Sequence, residues 1–156
     1  MVFCYSATQK SKYYADVLSE ILNCSVYILE TDIDVSKRVS FMIRCVWAAL
    51  INKAVPVLNM PSSDILDNDE IYLCGPIWAG SPALPLQWFL NNAPINGKTV
   101  HMILTASISH TKHKDTAKQI ILDSGCVPGH VEVFATGAGI RLERDVIESH
   151  IRSLIL

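Results

Sequence analysis

Met1-Val2-Phe3-Cys4-Tyr5-Ser6-Ala7-Thr8-Gln9-Lys10-Ser11 is the stretch from which the rest of the chain is read. Val2 to Tyr5 is an unbroken apolar run, as expected of a parallel strand covered on both faces. The hydroxyls, amide and cation from Ser6 to Ser11 follow it at once. A helix beginning near Ser11 leaves its first backbone N–H groups unpaired and aimed back at that turn, where the helix dipole also favours negative charge. Strand, polar turn and helix in this order make a place to hold a phosphate, with Ser6, Thr8 and Ser11 as neutral donors. On this stretch alone the simpler account is that Ser11 caps the helix and Ser6 and Thr8 are ordinary turn residues.

Downstream, the same strand-then-helix alternation recurs. Tyr14, Val17, Leu18, Ile21 and Leu22 give the first helix, Ser11 to Leu22, one inward face. Ser25 to Leu29 is a second strand. Val39, Met42, Ile43, Val46, Leu50 and Ile51 keep a helical period from Asp34 to Lys53, until Pro56 and Pro61 impose a loop. This crossover of about forty residues far exceeds the dozen needed to reach a neighbouring parallel strand, and suits a path from an edge strand across the first strand to its other side. Glu70 to Pro76 is the third strand. A loop through Ile77-Trp78-Ala79-Gly80-Ser81-Pro82 leads to a helix from Pro85 to Asn91, with proline placed in its first turn. Asn96-Gly97 turns the chain into a fourth strand, Thr99 to Thr105. The loop Ala106 to Lys114 precedes a helix around Thr116 to Asp123 with Gly125 at its C-cap. His130 to Phe134 is the fifth strand, and Leu142 to about Leu154 the last helix, with Glu148 and Arg152 as an i,i+4 pair.

Five strands alternating with helices, with no repeat or linker, imply a single domain over residues 1–156 built on a doubly wound five-stranded parallel sheet. In such a sheet of order 2-1-3-4-5, ligands sit beyond the carboxyl ends of the strands where the winding reverses, between strands one and three. That brings Ser6 to Ser11 beside Pro76 to Pro82. One loop offers phosphate donors and the other the indole of Trp78, so a planar ring carrying a phosphate satisfies both. Trp78 taken by itself is equally a core residue or an interface anchor.

Composition narrows the partners. A net charge of −2 lacks the basic excess of a nucleic-acid binder. Half of the residues are hydrophobic, which leaves room for a homodimer interface. The cysteines, Cys4, Cys24, Cys45, Cys74 and Cys126, are odd in number and form no CxxC pair, so reduced thiols in a cytoplasmic protein are expected rather than disulfides or zinc. Met1 enters the first strand without a charged leader, and Arg44 interrupts the longest apolar stretch, so neither a signal peptide nor a membrane span is expected. No GxSxG nucleophile motif accompanies Ser81, Ser107, Ser109 and His110. His110 and His113 lack a third metal ligand nearby, so neither a catalytic side chain nor a metal site is assigned.

Tyr5-Ser6-Ala7-Thr8-Gln9-Lys10-Ser11 resembles the phosphate loop of the flavodoxin family: a hydroxyl residue, any residue, Thr, Gly, any residue, Thr or Ser. Gly75-Pro76-Ile77-Trp78-Ala79-Gly80-Ser81-Pro82, with Phe89-Leu90 and Ile95 to Val100 after it, is similar to the third-strand region of small single-domain flavodoxin-like proteins. The resemblance implies a flavodoxin-like fold with helices on both faces and a redox-active FMN. It implies that the cofactor is bound by Ser6, Ala7, Thr8, Gln9, Lys10 and Ser11 at the phosphate. Pro76, Ile77, Trp78, Ala79 and Gly80 would lie at the ring, and Thr105, Ala106 and Ser107 along its other edge. Gln9 stands where the family has glycine, so a left-handed backbone there carries a strain of roughly 1 kcal/mol or more. Lys10 adds a cation that either pairs with the phosphate or extends into solvent.

Three functions fit these expectations. The first is a flavin-dependent oxidoreductase taking electrons from NAD(P)H or a redox protein and passing them to a quinone or another small acceptor. The second is an electron shuttle between proteins, and the third a binding domain that has lost FMN. Lys112 and Lys114, on the loop after the fourth strand, form a basic rim suited to steering an anionic partner.

Overall fold

A computed structural model describes residues 1–32, 55–108, 111–137 and 143–155. The helix expected from Asp34 to Lys53 lies outside them, as do Cys45, Ser109 and His110. In chain order the elements are β1 (Val2–Cys4), α1 (Lys10–Ile21), β2 (Val26–Ile28), a 3-10 turn at Ser63–Leu66, β3 (Glu70–Trp78), β4 (Ser81–Pro82), α2 (Leu84–Asn92), β5 (Thr99–Ala106), α3 (Thr111–Asp123), β6 (Val127–Ala135) and α4 (Arg144–Ile155).

Strands β2-β1-β3-β5-β6 lie side by side in that order, all parallel, with β4 antiparallel to the far end of β3. The expected winding, 2-1-3 followed by the last two long strands, is the observed one. The register sets Val2 beside both Val26 and Tyr72, and Cys4 beside Cys74. Because successive side chains on a strand point to opposite faces, this pairing sorts the apolar residues into two cores. Phe3, Tyr5, Leu73, Met102, Leu104 and Val133 pack with Leu86 and Phe89 of α2 and Ala117 and Ile121 of α3. Val2, Cys4, Tyr72, Cys74, Ile103 and Phe134 pack on the other face with Tyr14 and Leu18 of α1 and Ile147 and Ile151 of α4. Burial pushes the Cys4 thiol up to about 12, with Asp16 adding to the shift, and holds the Cys74 thiol well above its ordinary value. These thiols are core atoms in their neutral form and belong to no disulfide.

Several boundaries differ from the sequence reading, each for a local reason. The third strand does not stop at Gly75-Pro76 but continues to Trp78. The Tyr5 N–H donates to Cys74 O, so residue 76, two further on, faces the same side, beyond the end of β1. A proline there forfeits no ladder bond. The stretch expected as a loop, Ile77 to Pro82, is a tight hairpin: Trp78 pairs with Ser81 and Ile77 with Pro82. Ala79 (φ 48°) and Gly80 (φ 87°) form its two-residue turn, the twist that hairpins favour. α3 starts at Thr111 rather than near Thr116, and β6 is longer than His130 to Phe134. Gly125 does end α3: its N–H bonds Leu122 O, that of Cys126 bonds Ile121 O, and its φ is 79°.

Between β5 and β6 the register shifts, with Val100 opposite Pro128 but Met102 opposite Val131. Gly129 and His130 therefore face the single residue His101 across a bulge. The His130 N–H donates to His101 Nδ1 at 3.1 Å in place of a ladder bond. The buried His101 ring stacks on Tyr72 at 4.6 Å, and Glu70, which accepts from the Tyr72 hydroxyl, lies 4.0 Å from His101 Nε2. This cluster occupies the end of the sheet opposite the carboxyl ends of the strands.

Candidate functional site

At the carboxyl ends of the strands, the segments following β1, β5 and β6 meet the β3–β4 hairpin around a cleft of about 420 Å³. Its lining is Ser6, Ala7, Thr8, Lys10 and Ser11 from the first turn and helix, Pro76, Ile77, Trp78 and Ala79 from the hairpin, Thr105, Ala106 and Ser107 from the end of β5, and Thr136 after β6. Two of the residues expected there are not in the wall. Gln9 is exposed and turns the chain into α1. Gly80 completes the hairpin turn from outside, so it shapes the wall without forming it.

The first turn has the conformation an anion site requires. Gln9 is the residue before the helix, at φ 61° and ψ −2°, and its side chain makes no capping hydrogen bond. This left-handed step carries the chain from the end of β1 directly into the helix at Lys10. No acidic residue occupies the first turn of α1, so its positive dipole end meets no local carboxylate. The Ser6 Oγ is buried and, among the described residues, has no hydrogen-bond partner. An orphaned buried hydroxyl is costly by roughly 1–3 kcal/mol, and a ligand oxygen would remove that cost.

Ser11 lines the cleft as the second residue of α1. Its buried hydroxyl neither caps α1 nor is left free: Ser11 Oγ and Thr105 Oγ1 are 2.8 Å apart, tying the first turn of the helix to the end of β5. Thr136, which the sequence reading missed, anchors the same wall. Its N–H and its hydroxyl both donate to Ala106 O, at 2.7 and 3.1 Å. Its position directly after the last strand was the available signal, since every such position reaches the same end of the sheet.

On the opposite wall Trp78 is half-buried, with its ring set edge-on to Tyr5 at 5.5 Å and 85°. It is both a core residue and part of the cleft. The hairpin holding it is closed by the Ala83 N–H bonded to Pro76 O and by Gln87 Nε2 bonded to Pro82 O. The arrangement suits an anionic group at the start of α1 and a flat aromatic group against the hairpin. Among the described residues, Lys10 is the one charged side chain in the lining, and no carboxylate, thiol or imidazole accompanies it. Among the described residues, no three His, Cys, Asp or Glu side chains are grouped to hold a metal.

Of the two lysines expected as a basic rim, Lys112 is exposed and Lys114 is occupied. Lys112 and Lys114 lie within the first turn of α3, not on a loop. Lys114 is tied to Glu132 of β6 at 2.8 Å, with His150 of α4 at 3.5 Å from the same carboxylate. Burial pushes the Glu132 carboxyl up, but Lys114, the Val133 N–H and His150 outweigh this and hold it below its usual range. Lys114 therefore fastens α3 to the sheet.

No protein-family model matches the chain, and no curated protein matches it in sequence. Solved structures do. A flavoprotein from Lactobacillus acidophilus NCFM, in complex with FMN, superposes with a TM-score of 0.67 at 19% identity, over 85% of this chain and 90% of that one. A putative flavoprotein from Bacteroides uniformis ATCC 8492 gives 0.67 at 18% identity, over 97% and 96%. The two-electron reduced flavodoxin of Megasphaera elsdenii gives 0.52 at 15% identity, over 97% and 99%. The fold is flavodoxin-like. A flavodoxin-like sheet reverses its winding between β1 and β3, where this cleft opens. Among the described residues, no helix is long and apolar enough to cross a membrane.

Proposed function

We propose that the cleft binds FMN and that the protein is a flavin-dependent oxidoreductase, taking electrons from NAD(P)H or a redox protein and passing them to a quinone or other small acceptor. The observation that carries the reading is the pairing, in one cleft, of a helix N-terminus bearing an orphaned hydroxyl with a half-buried indole. The residues fit the cofactor. Ser6, Thr8 and the first N–H groups of α1 supply donors to its phosphate, and the Trp78 hairpin supplies a face for its ring. The cleft volume falls in the range of about 300–1,000 Å³ usual for small-molecule sites. Solved neighbours that include an FMN complex support the same assignment.

When bound, FMN supplies the electron and hydride chemistry, so no protein nucleophile is required. The chain's own residues position it. The Ser11–Thr105 bond fixes the start of α1 against β5, and Thr136 fixes the adjoining carbonyl of Ala106. Exposed Ala79 beside Trp78, and exposed Ile108 next to Ser107, offer apolar surface at the rim to a small planar acceptor. Among the described residues the lining carries no carboxylate to repel an anionic electron donor.

The test is to incubate the purified protein with FMN, remove free flavin and record the visible spectrum, then assay NAD(P)H-dependent reduction of a soluble quinone. Retained flavin absorbance with quinone turnover is expected. Retained flavin without turnover of any small acceptor would favour an electron shuttle, and no retained flavin would mean a binding domain that has lost FMN.

A further inference from the structure

We infer that Lys10 is a specificity residue of the cleft: its ammonium supplies a counter-charge that selects a ligand bearing a doubly ionised phosphate group over the same ligand without it. The inference rests on the FMN reading and goes beyond the neutral donors used so far.

Three other described lysines are occupied: Lys12 pairs with Asp16 at 2.8 Å, Lys114 with Glu132, and Lys98 Nζ donates to the carbonyls of Leu66 and Asn68, while Lys112 and Lys118 lie exposed on α3. Lys10 is half-buried in the cleft wall, and among the described residues no carboxylate lies within ion-pair distance of it. It is also the first residue of α1, where the helix dipole works against a cation and where no acidic residue offsets it. Two unfavourable terms thus coincide at one position. A solvent-facing lysine would escape the second by pointing away, but the left-handed turn at Gln9 brings residue 10 to the cleft. Its neighbour in the wall, Ser6, keeps a buried hydroxyl without a partner among the described residues. A phosphate dianion bound here offsets the dipole, the ammonium and the orphaned hydroxyl together, and a charge-assisted contact of this kind is about twice as strong as a neutral one.

The experiment titrates FMN and riboflavin, by quenching of flavin fluorescence, into the wild type, Lys10→Met and Lys10→Arg at low and at high ionic strength. Circular dichroism verifies that each variant is folded. At low salt, Lys10→Met is expected to bind FMN about tenfold more weakly than the wild type and to lose most of the salt dependence, with Lys10→Arg restoring both. Riboflavin affinity is expected to be the same in all three. Wild-type FMN affinity and salt dependence in Lys10→Met would overturn the inference and leave Lys10 solvated. Equal weakening of FMN and riboflavin would also overturn it, since Lys10 would then act on the ring or the fold. Wild-type protein that binds neither flavin would instead overturn the FMN reading, and the inference with it.

Discussion

Replacing Gln9 by glycine is expected to stabilise the protein. Gln9 holds φ 61° and ψ −2°, a left-handed conformation that costs an L-residue with a Cβ about 1–2 kcal/mol. Its side chain is exposed and makes no capping hydrogen bond, so truncation removes no cap. Glycine adopts this backbone without strain but adds freedom to the unfolded chain, which costs about 0.4–1 kcal/mol. The net gain is about 0.5–1 kcal/mol, or an increase in Tm of roughly 1–4 °C for a chain of this size. Thermal unfolding followed by circular dichroism measures it, with urea unfolding at fixed temperature as the independent check. The backbone already has the shape glycine prefers, so FMN affinity in Gln9→Gly is expected to stay at the wild-type value. A fall in Tm would refute the reasoning, because it would mean that the turn is not left-handed at this residue or that the glutamine side chain makes a stabilising contact.

Other outcomes follow from the same geometry. Trp78→Ala is expected to weaken FMN binding by about 1–3 kcal/mol, the range for stacking of a planar ring on an aromatic side chain, and unchanged affinity in a fluorescence titration would remove Trp78 from the ring site. Gly75→Ala is expected to destabilise by about 1–3 kcal/mol in urea unfolding, since the added Cβ would overlap Leu86 Cδ1, a fully buried side chain, and stand 3.3 Å from Tyr5 O. His101 gives a pH signature: burial holds its imidazole below the ordinary value of 6.5, with Glu70 opposing the shift and His130 reinforcing it. The unfolded chain therefore takes up the proton first, so stability is complete above about pH 6.5 and falls as pH drops toward the folded value, by at most about 1.4 kcal/mol per pH unit. His101→Gln should flatten that slope between neutral and mildly acidic pH, and an unchanged slope would assign it to other groups.

The sheet order was legible because each strand carries a dense apolar run and each crossover a helical period, and these patterns answer directly to burial. The hairpin after β3 was not, because Gly75 and Pro76 ordinarily mark a stop. Whether a proline ends a strand depends on which side its missing N–H faces, and that depends on where the neighbouring strand β1 ends. The start of α3 was hidden for a related reason: Lys112, His113 and Lys114 look wrong for a helix N-terminus until Glu132, eighteen residues beyond Lys114, is seen to neutralise one of them. At the cleft, proximity in sequence made Ser6, Thr8 and Lys10 readable, whereas the Ser11–Thr105 bond joins residues 94 positions apart and leaves no local trace. Thr136 lacked a motif of its own. Only the rule that parallel strands deliver their following residue to one end of the sheet points to it.

Isothermal calorimetry of the wild-type protein with FMN and with riboflavin tests the account most directly, because the two ligands share a ring and differ in the phosphate that the α1 end is built to hold. Binding of one FMN per chain, with riboflavin at least about tenfold weaker, is the predicted result. Equal affinities for the two would contradict it, and would make Ser6, Thr8 and the start of α1 structural features of the turn rather than a phosphate site.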